Sequence, residues 1–142
     1  MPSVLIASDA PSVRAEVAAV AGTPELTIRE ARSGPDVMRE VARSLPDLVV
    51  VDLQMGNMGG MAVCLELRLE ESYDNLEHVP VLMLLDRRPD VFIARRSGAE
   101  GWVVKPLDPI RLRRAVAALL DGGTYYDESY QPLSVTSVPS GT

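Results

Sequence analysis

DLVVVDLQM, residues 47–55, places the apolar run Leu48 to Val51 directly before the carboxylate of Asp52. Nothing polar alternates within the run, and it is rich in β-branched valine. That is the pattern of a parallel strand covered on both faces. Its acidic end has a further meaning. In an open parallel sheet, ligands gather beyond the carboxyl ends of the strands.

Similar runs lie on either side. Val4 to Ala7, Val79 to Leu85 and Trp102 to Val104 also read as buried strands. Leu26 to Arg29 alternates apolar with polar, as an edge strand does. Pro80 is tolerable only near the start of its strand, because it donates no ladder hydrogen bond.

Helical patterns fill the intervals. Val13, Val17 and Val20 share a face of the first helix, which Pro11 opens. Val37 and Val41 mark the second. Met61, Leu65 and Leu69 mark the apolar face of the third, with Cys64 beside them. Arg87 to Ser97 is a short fourth, stopped by Gly98. The fifth starts at Asp108-Pro109, a cap followed by proline, and runs to Gly122-Gly123. A β-α unit repeated five times builds a parallel sheet with helices on both faces. The pattern dissolves after Gly123. Residues 1–123 therefore read as one domain, and 124–142 as a disordered C-terminal tail.

The 142 residues suffice for one domain that needs no disulfide, and Cys64 is the only cysteine. No signal core and no membrane-spanning run is visible, so the sequence reads as soluble and cytoplasmic. A net charge of −6 argues against nucleic-acid binding. The charge is uneven. Glu66, Glu70, Glu71, Asp74 and Glu77 crowd the middle; Arg87, Arg88, Arg95, Arg96, Arg111, Arg113 and Arg114 crowd the later part. Each group serves either as a solvated surface or as a partner-facing patch.

The strand ends carry the chemistry. Ser8 and Asp9 follow the first strand, Asp52 ends the third, Leu85 and Asp86 end the fourth, and Lys105-Pro106 follows the fifth. Asp9, Asp52 and Lys105, two carboxylates and an ammonium from three of these strands, suit a magnesium ion and a phosphoryl group. Lys105 is the chain's only lysine beside thirteen arginines, which marks a position that wants a compact point charge.

VLIASD (4–9), DLVVVDLQM (47–55), VPVLML (79–84) and GWVVKP (101–106), in this order and spacing, resemble the strand signatures of response-regulator receiver domains of two-component signalling, of the chemotaxis-regulator kind. The resemblance covers roughly residues 3–121. It implies a flavodoxin-like (βα)5 fold with strand order 2-1-3-4-5. It implies that Asp52 accepts a phosphoryl group from a histidine kinase or a small phosphodonor. Asp9, Asp52 and the backbone carbonyl of Gln54 would hold magnesium, Lys105 would contact the phosphoryl oxygens, and Lys105-Pro106 would be cis.

The chain departs from that pattern at several positions. Ser8 stands where the first of two adjacent acids is usual, so magnesium is expected to bind weakly. Leu85 stands in place of the hydroxyl residue that answers a phosphoryl group. Asp86 brings a carboxylate where a small residue is common; it either repels the phosphoryl group, faces solvent, or pairs with Arg87 or Arg88. Trp102 takes the place of the usual Tyr or Phe switch, and Gly56 that of a proline. These departures describe an atypical, stand-alone receiver. Its face of fourth helix, fifth strand and fifth helix, with Arg95, Arg96, Arg111 and Arg114, is the expected partner surface for a signalling protein or a second copy. A phosphorylation-independent interaction module is the alternative. A flavodoxin-like cofactor enzyme is the third reading, without a nucleophile–base pair or cofactor fingerprint to support it. His78 reads as a loop residue, Cys64 as a core hydrophobe, Met55, Met58 and Met61 as packing, and Gly59-Gly60 lacks the spacing of a phosphate loop.

Overall fold

The computed structural model describes residues 1–128. Strands β1 (Ser3–Ala7), β2 (Thr27–Ala31), β3 (Leu48–Asp52), β4 (Val81–Leu85), β5 (Gly101–Val104) and β6 (Tyr125–Tyr126) alternate with helices α1 (Pro11–Ala21), α2 (Gly34–Arg43), α3 (Gly60–Ser72), α4 (Val91–Ser97) and α5 (Pro109–Leu120). All strand pairings are parallel, in the order β2-β1-β3-β4-β5-β6. This is the expected flavodoxin-like sheet with one strand added at its edge.

Strand residues point alternately to opposite faces, and the apolar runs fill both. Leu5, Val49, Val51, Met83 and Leu85 pack under α2, α3 and α4. Val4, Ile6, Leu48, Val50, Leu82, Leu84 and Val103 pack under α1 and α5. The two-residue period carries straight into the chemistry. Ser8 continues the face of Ile6, Asp52 that of Val50, and Lys105 that of Val103, so the three side chains meet at one corner of the sheet.

Helix starts follow local rules. The Ser33 hydroxyl accepts the Asp36 N–H at 3.2 Å to open α2, and the Asp108 carboxylate accepts the Ile110 N–H at 2.8 Å to open α5. Gly98 closes α4 in the left-handed conformation at φ 79°.

Several expectations need correction. The stripe Met61, Leu65 and Leu69 of α3 faces outward, with Leu65 44% exposed; the buried face is Gly60, Val63, Cys64 and Leu67. The fourth helical segment starts as a 3₁₀ turn at Arg88–Asp90, and α4 proper begins at Val91. Strand β4 begins at Val81, since Pro80 has no N–H to give. The described fold does not stop at Gly123: Tyr125–Tyr126 pairs with β5 and Asp127 is buried. The remainder of the expected tail, 129–142, lies outside the described residues.

Candidate functional site

Asp52 ends β3 and is 3% exposed. Both of its oxygens are held. The Ser8 hydroxyl donates to Oδ2 at 2.9 Å, and the Lys105 ammonium donates to Oδ1 at 2.9 Å. Burying a carboxylate is expensive unless it is paired and hydrogen-bonded; Asp52 is both. The Lys105-Pro106 peptide bond is cis, as the resemblance implied.

Lys105 is shared. Its Nζ also donates to Asp86 Oδ1 at 3.0 Å. Asp86 therefore pairs with neither Arg87 nor Arg88; Arg87 turns instead to Asp90, at 3.6 Å. Burial works against the Lys105 ammonium, but the hydrogen bonds to Asp52 and Asp86 outweigh it and raise its pKa. Two carboxylates on one ammonium stand at most about 6 Å apart, where charges repel by about 3 kcal/mol at an effective dielectric near 20.

Asp9 lies on the exposed rim, where its carboxylate accepts the Gly56 N–H at 3.1 Å and ties the β1–α1 loop to the β3–α3 loop. Gln54 is exposed in that second loop. The pair Gly59-Gly60 explains how α3 starts so near the acid. A Cβ on Gly60 would stand 2.8 Å from the carbonyl oxygen of Asp52, and one on Gly59 2.5 Å from that of Leu53.

Arg14 was not legible as a site residue. It is 8% exposed, donates to the carbonyl of Ser8 at 2.7 Å, and pairs with Glu30 at 2.9 Å. An arginine between Val13 and Val17, on the inward side of α1, was the available signal. Leu85 is fully buried and only packs. Trp102 is 3% exposed, with its ring stacked on Tyr126 and the Arg95 guanidinium carbon 5.5 Å from its centroid. Arg95 and Arg96 of α4 and Arg114 of α5 are exposed, and Arg111 pairs with Asp108 at 3.1 Å. Arg113 belongs elsewhere, lining a hollow with Val20 and Leu26 near α1. His78 sits in the α3–β4 loop between Glu71 and Glu100.

Among the described residues, no three His, Cys, Asp or Glu side chains group as a metal cage, and no helix is long and apolar enough to cross a membrane. Asp9 and Asp52 are carboxylates of the type magnesium takes, one or two at a time with several waters kept. Position 8 adds no anionic donor, since it is a serine, and its hydroxyl is engaged with Asp52.

Comparison with known proteins agrees with this geometry. The response regulator receiver domain family model matches residues 4–117. A response regulatory protein of Mycobacterium tuberculosis is 38% identical over 98 residues, covering 68% of this chain and 70% of that protein. Response regulator PleD of Caulobacter vibrioides is 32% identical over 106 residues, or 73% of this chain and 23% of PleD. Among solved structures, the signal receiver domain of a signal transduction histidine kinase from Syntrophus aciditrophicus superposes with a TM-score of 0.76 at 26% identity, covering 86% of this chain and 92% of that one. Chemotaxis response regulator CheY4 of Vibrio cholerae gives 0.73 at 25% identity, with 84% and 98% covered. With a buried acid at the end of β3, a lysine on it from β5 and these relatives, the chain belongs to the response-regulator receiver domain family of two-component signalling.

Proposed function

We propose that this receiver takes a phosphoryl group on Asp52 from a histidine kinase or a small phosphodonor, and that its output is a change in protein–protein affinity. The observation that carries this reading is the hydrogen bond from Lys105 Nζ to Asp52 Oδ1 at 2.9 Å. In the transfer, an Asp52 oxygen attacks phosphorus, a new P–O bond forms, and the donor's bond to phosphorus breaks with its electron pair. Lys105 stays at hand to meet the oxygens of the incoming group. Asp9, Asp52 and the Gln54 carbonyl would hold magnesium, which supplies positive charge to neutralise the phosphoryl oxygens. The α4–β5–α5 face, with Arg95, Arg96 and Arg114, is the association surface for a signalling partner or a second copy, its charges serving steering and register.

Incubation with a small phosphodonor and magnesium, followed by intact mass, tests the reading. A gain of one phosphoryl group in the native chain and none in Asp52→Asn is expected. No gain under conditions that modify a control receiver overturns it.

A second reading has its own observation. Asp86 already supplies Lys105 with a second anion, and Leu85 has no hydroxyl to be drawn toward a phosphoryl group. A module that works without phosphorylation would look like this. It predicts partner binding that is unchanged in Asp52→Asn.

A further inference from the structure

The outer edge of β5 is covered by the chain itself. A bare edge offers unpaired N–H and C=O groups to any passing strand. Here Tyr125 N–H donates to the Glu100 carbonyl at 3.2 Å and Asp127 N–H donates to the Trp102 carbonyl at 3.2 Å. The Val104 N–H donates to the Asp127 carboxylate at 2.9 Å. The register is parallel, with Gly101 opposite Tyr125 and Trp102 opposite Tyr126.

Each residue of the edge answers a different feature of the covering segment. Gly101 admits its backbone: a Cβ there would stand 2.7 Å from the Tyr125 carbonyl oxygen. Trp102 offers a ring on which Tyr126 stacks, centroids 4.5 Å apart and planes at 27°. Arg95 holds that indole from the α4 side. The Val104 N–H takes the carboxylate. In recognition by strand addition, main-chain bonds give affinity and side-chain pockets give specificity. The cover is also slight. β6 is two residues long, and Tyr126 is 50% exposed. Such short edges open at low local cost.

We propose that the β5 edge is a strand-addition site for an extended aromatic–aromatic–acidic segment lying parallel to β5, occupied in cis by Tyr125–Asp127, and that this occupant keeps a second copy off the α4–β5–α5 face. The second half of the proposal rests on the reading of that face as an association surface; the first half does not.

Trp102 is the only tryptophan in the chain, so its emission reports the edge directly. The full chain carrying Tyr126→Ala with Asp127→Asn should show red-shifted emission and several-fold stronger acrylamide quenching, at unchanged far-UV circular dichroism. Gly101→Ala, which keeps the segment but denies it room, should do the same. A peptide of residues 122–128, GGTYYDE, should return the double variant's emission toward native, and a scrambled peptide should not. Native emission in both variants, or equal rescue by the scrambled peptide, overturns the docking site. In sedimentation velocity the double variant should dimerise at lower concentration than the native chain, and the peptide should reverse this. A full fluorescence response with no change in association overturns the gating and the face as a dimer surface, while the strand-addition site stands.

Discussion

The ammonium of Lys105 is divided between two acids, and that division sets what the corner can do. Asp86 helps hold Lys105 in place, yet it stands close enough to oppose any further negative charge on Asp52. Asp86→Ala should therefore raise phosphorylation. Asp86 is partly exposed, so solvent screening trims the repulsion to about 1 kcal/mol, or about fivefold in the ratio of phosphorylated to free chain. Intact mass at limiting phosphodonor measures it, and an unchanged or lower yield would sink the idea. Ser8 is the second lever. Its hydroxyl is a donor to Asp52, so Ser8→Asp replaces a hydrogen bond with a like charge. The variant should be less stable than the native chain without magnesium, and should regain stability as magnesium is added. Its magnesium affinity by calorimetry should exceed that of the native chain. Equal affinities would mean that position 8 does not govern the metal.

At the scale of the element, β-strands were the legible part and helix faces the fallible one. The run LVVV is short, β-branched and bounded by Pro46-Asp47 and Asp52, and those three signals together mark β3 as a strand covered on both sides. The third helix carries apolar residues most of the way round. Its sequence offers two stripes, Met61-Leu65-Leu69 and Val63-Cys64-Leu67, and periodicity does not rank them. What selects the second is Gly60, whose missing side chain lets the helix start against the Asp52 backbone and fixes its rotation. The consequence is measurable. Leu67→Ala empties a fully packed site and should cost about 2–5 kcal/mol in urea unfolding. Leu65→Ala, on the exposed stripe, should stay within about 0.5 kcal/mol of the native chain. Comparable losses for the two would restore the outward stripe as core. β6 was illegible for a different reason: two tyrosines in a polar stretch have no period, and only the edge they fit gives them a role.

Over the whole molecule, the two ends of the sheet are built from different chemistry. At the end opposite Asp52, Arg68 donates to the carbonyls of Val79 and Gly98 and pairs with Glu100, while His78 touches both Glu71 and Glu100. This cluster joins α3 to the starts of β4 and β5. The hydrogen bond from His78 outweighs the modest burial of Glu71 and holds its carboxyl below the ordinary value of 4.5. A carboxyl lowered by folding contributes stability that is complete above its unfolded pKa and is lost as pH falls through the folded one. Stability should thus decline below pH 4.5. His78→Ala should flatten that decline, as read from urea midpoints between about pH 6 and about pH 3; an identical acid limb would remove the cluster from the account. The same polarity governs where the backbone departs. Helix α5 runs back along the sheet, so a chain leaving at Leu120 would set off from the His78 pole. Because β6 runs parallel to β5, it carries the backbone across again, and Glu128 departs on the rim that holds Lys105. The described residues therefore end on the same edge of the sheet as Asp52, three strands along from it, and not at the His78 pole.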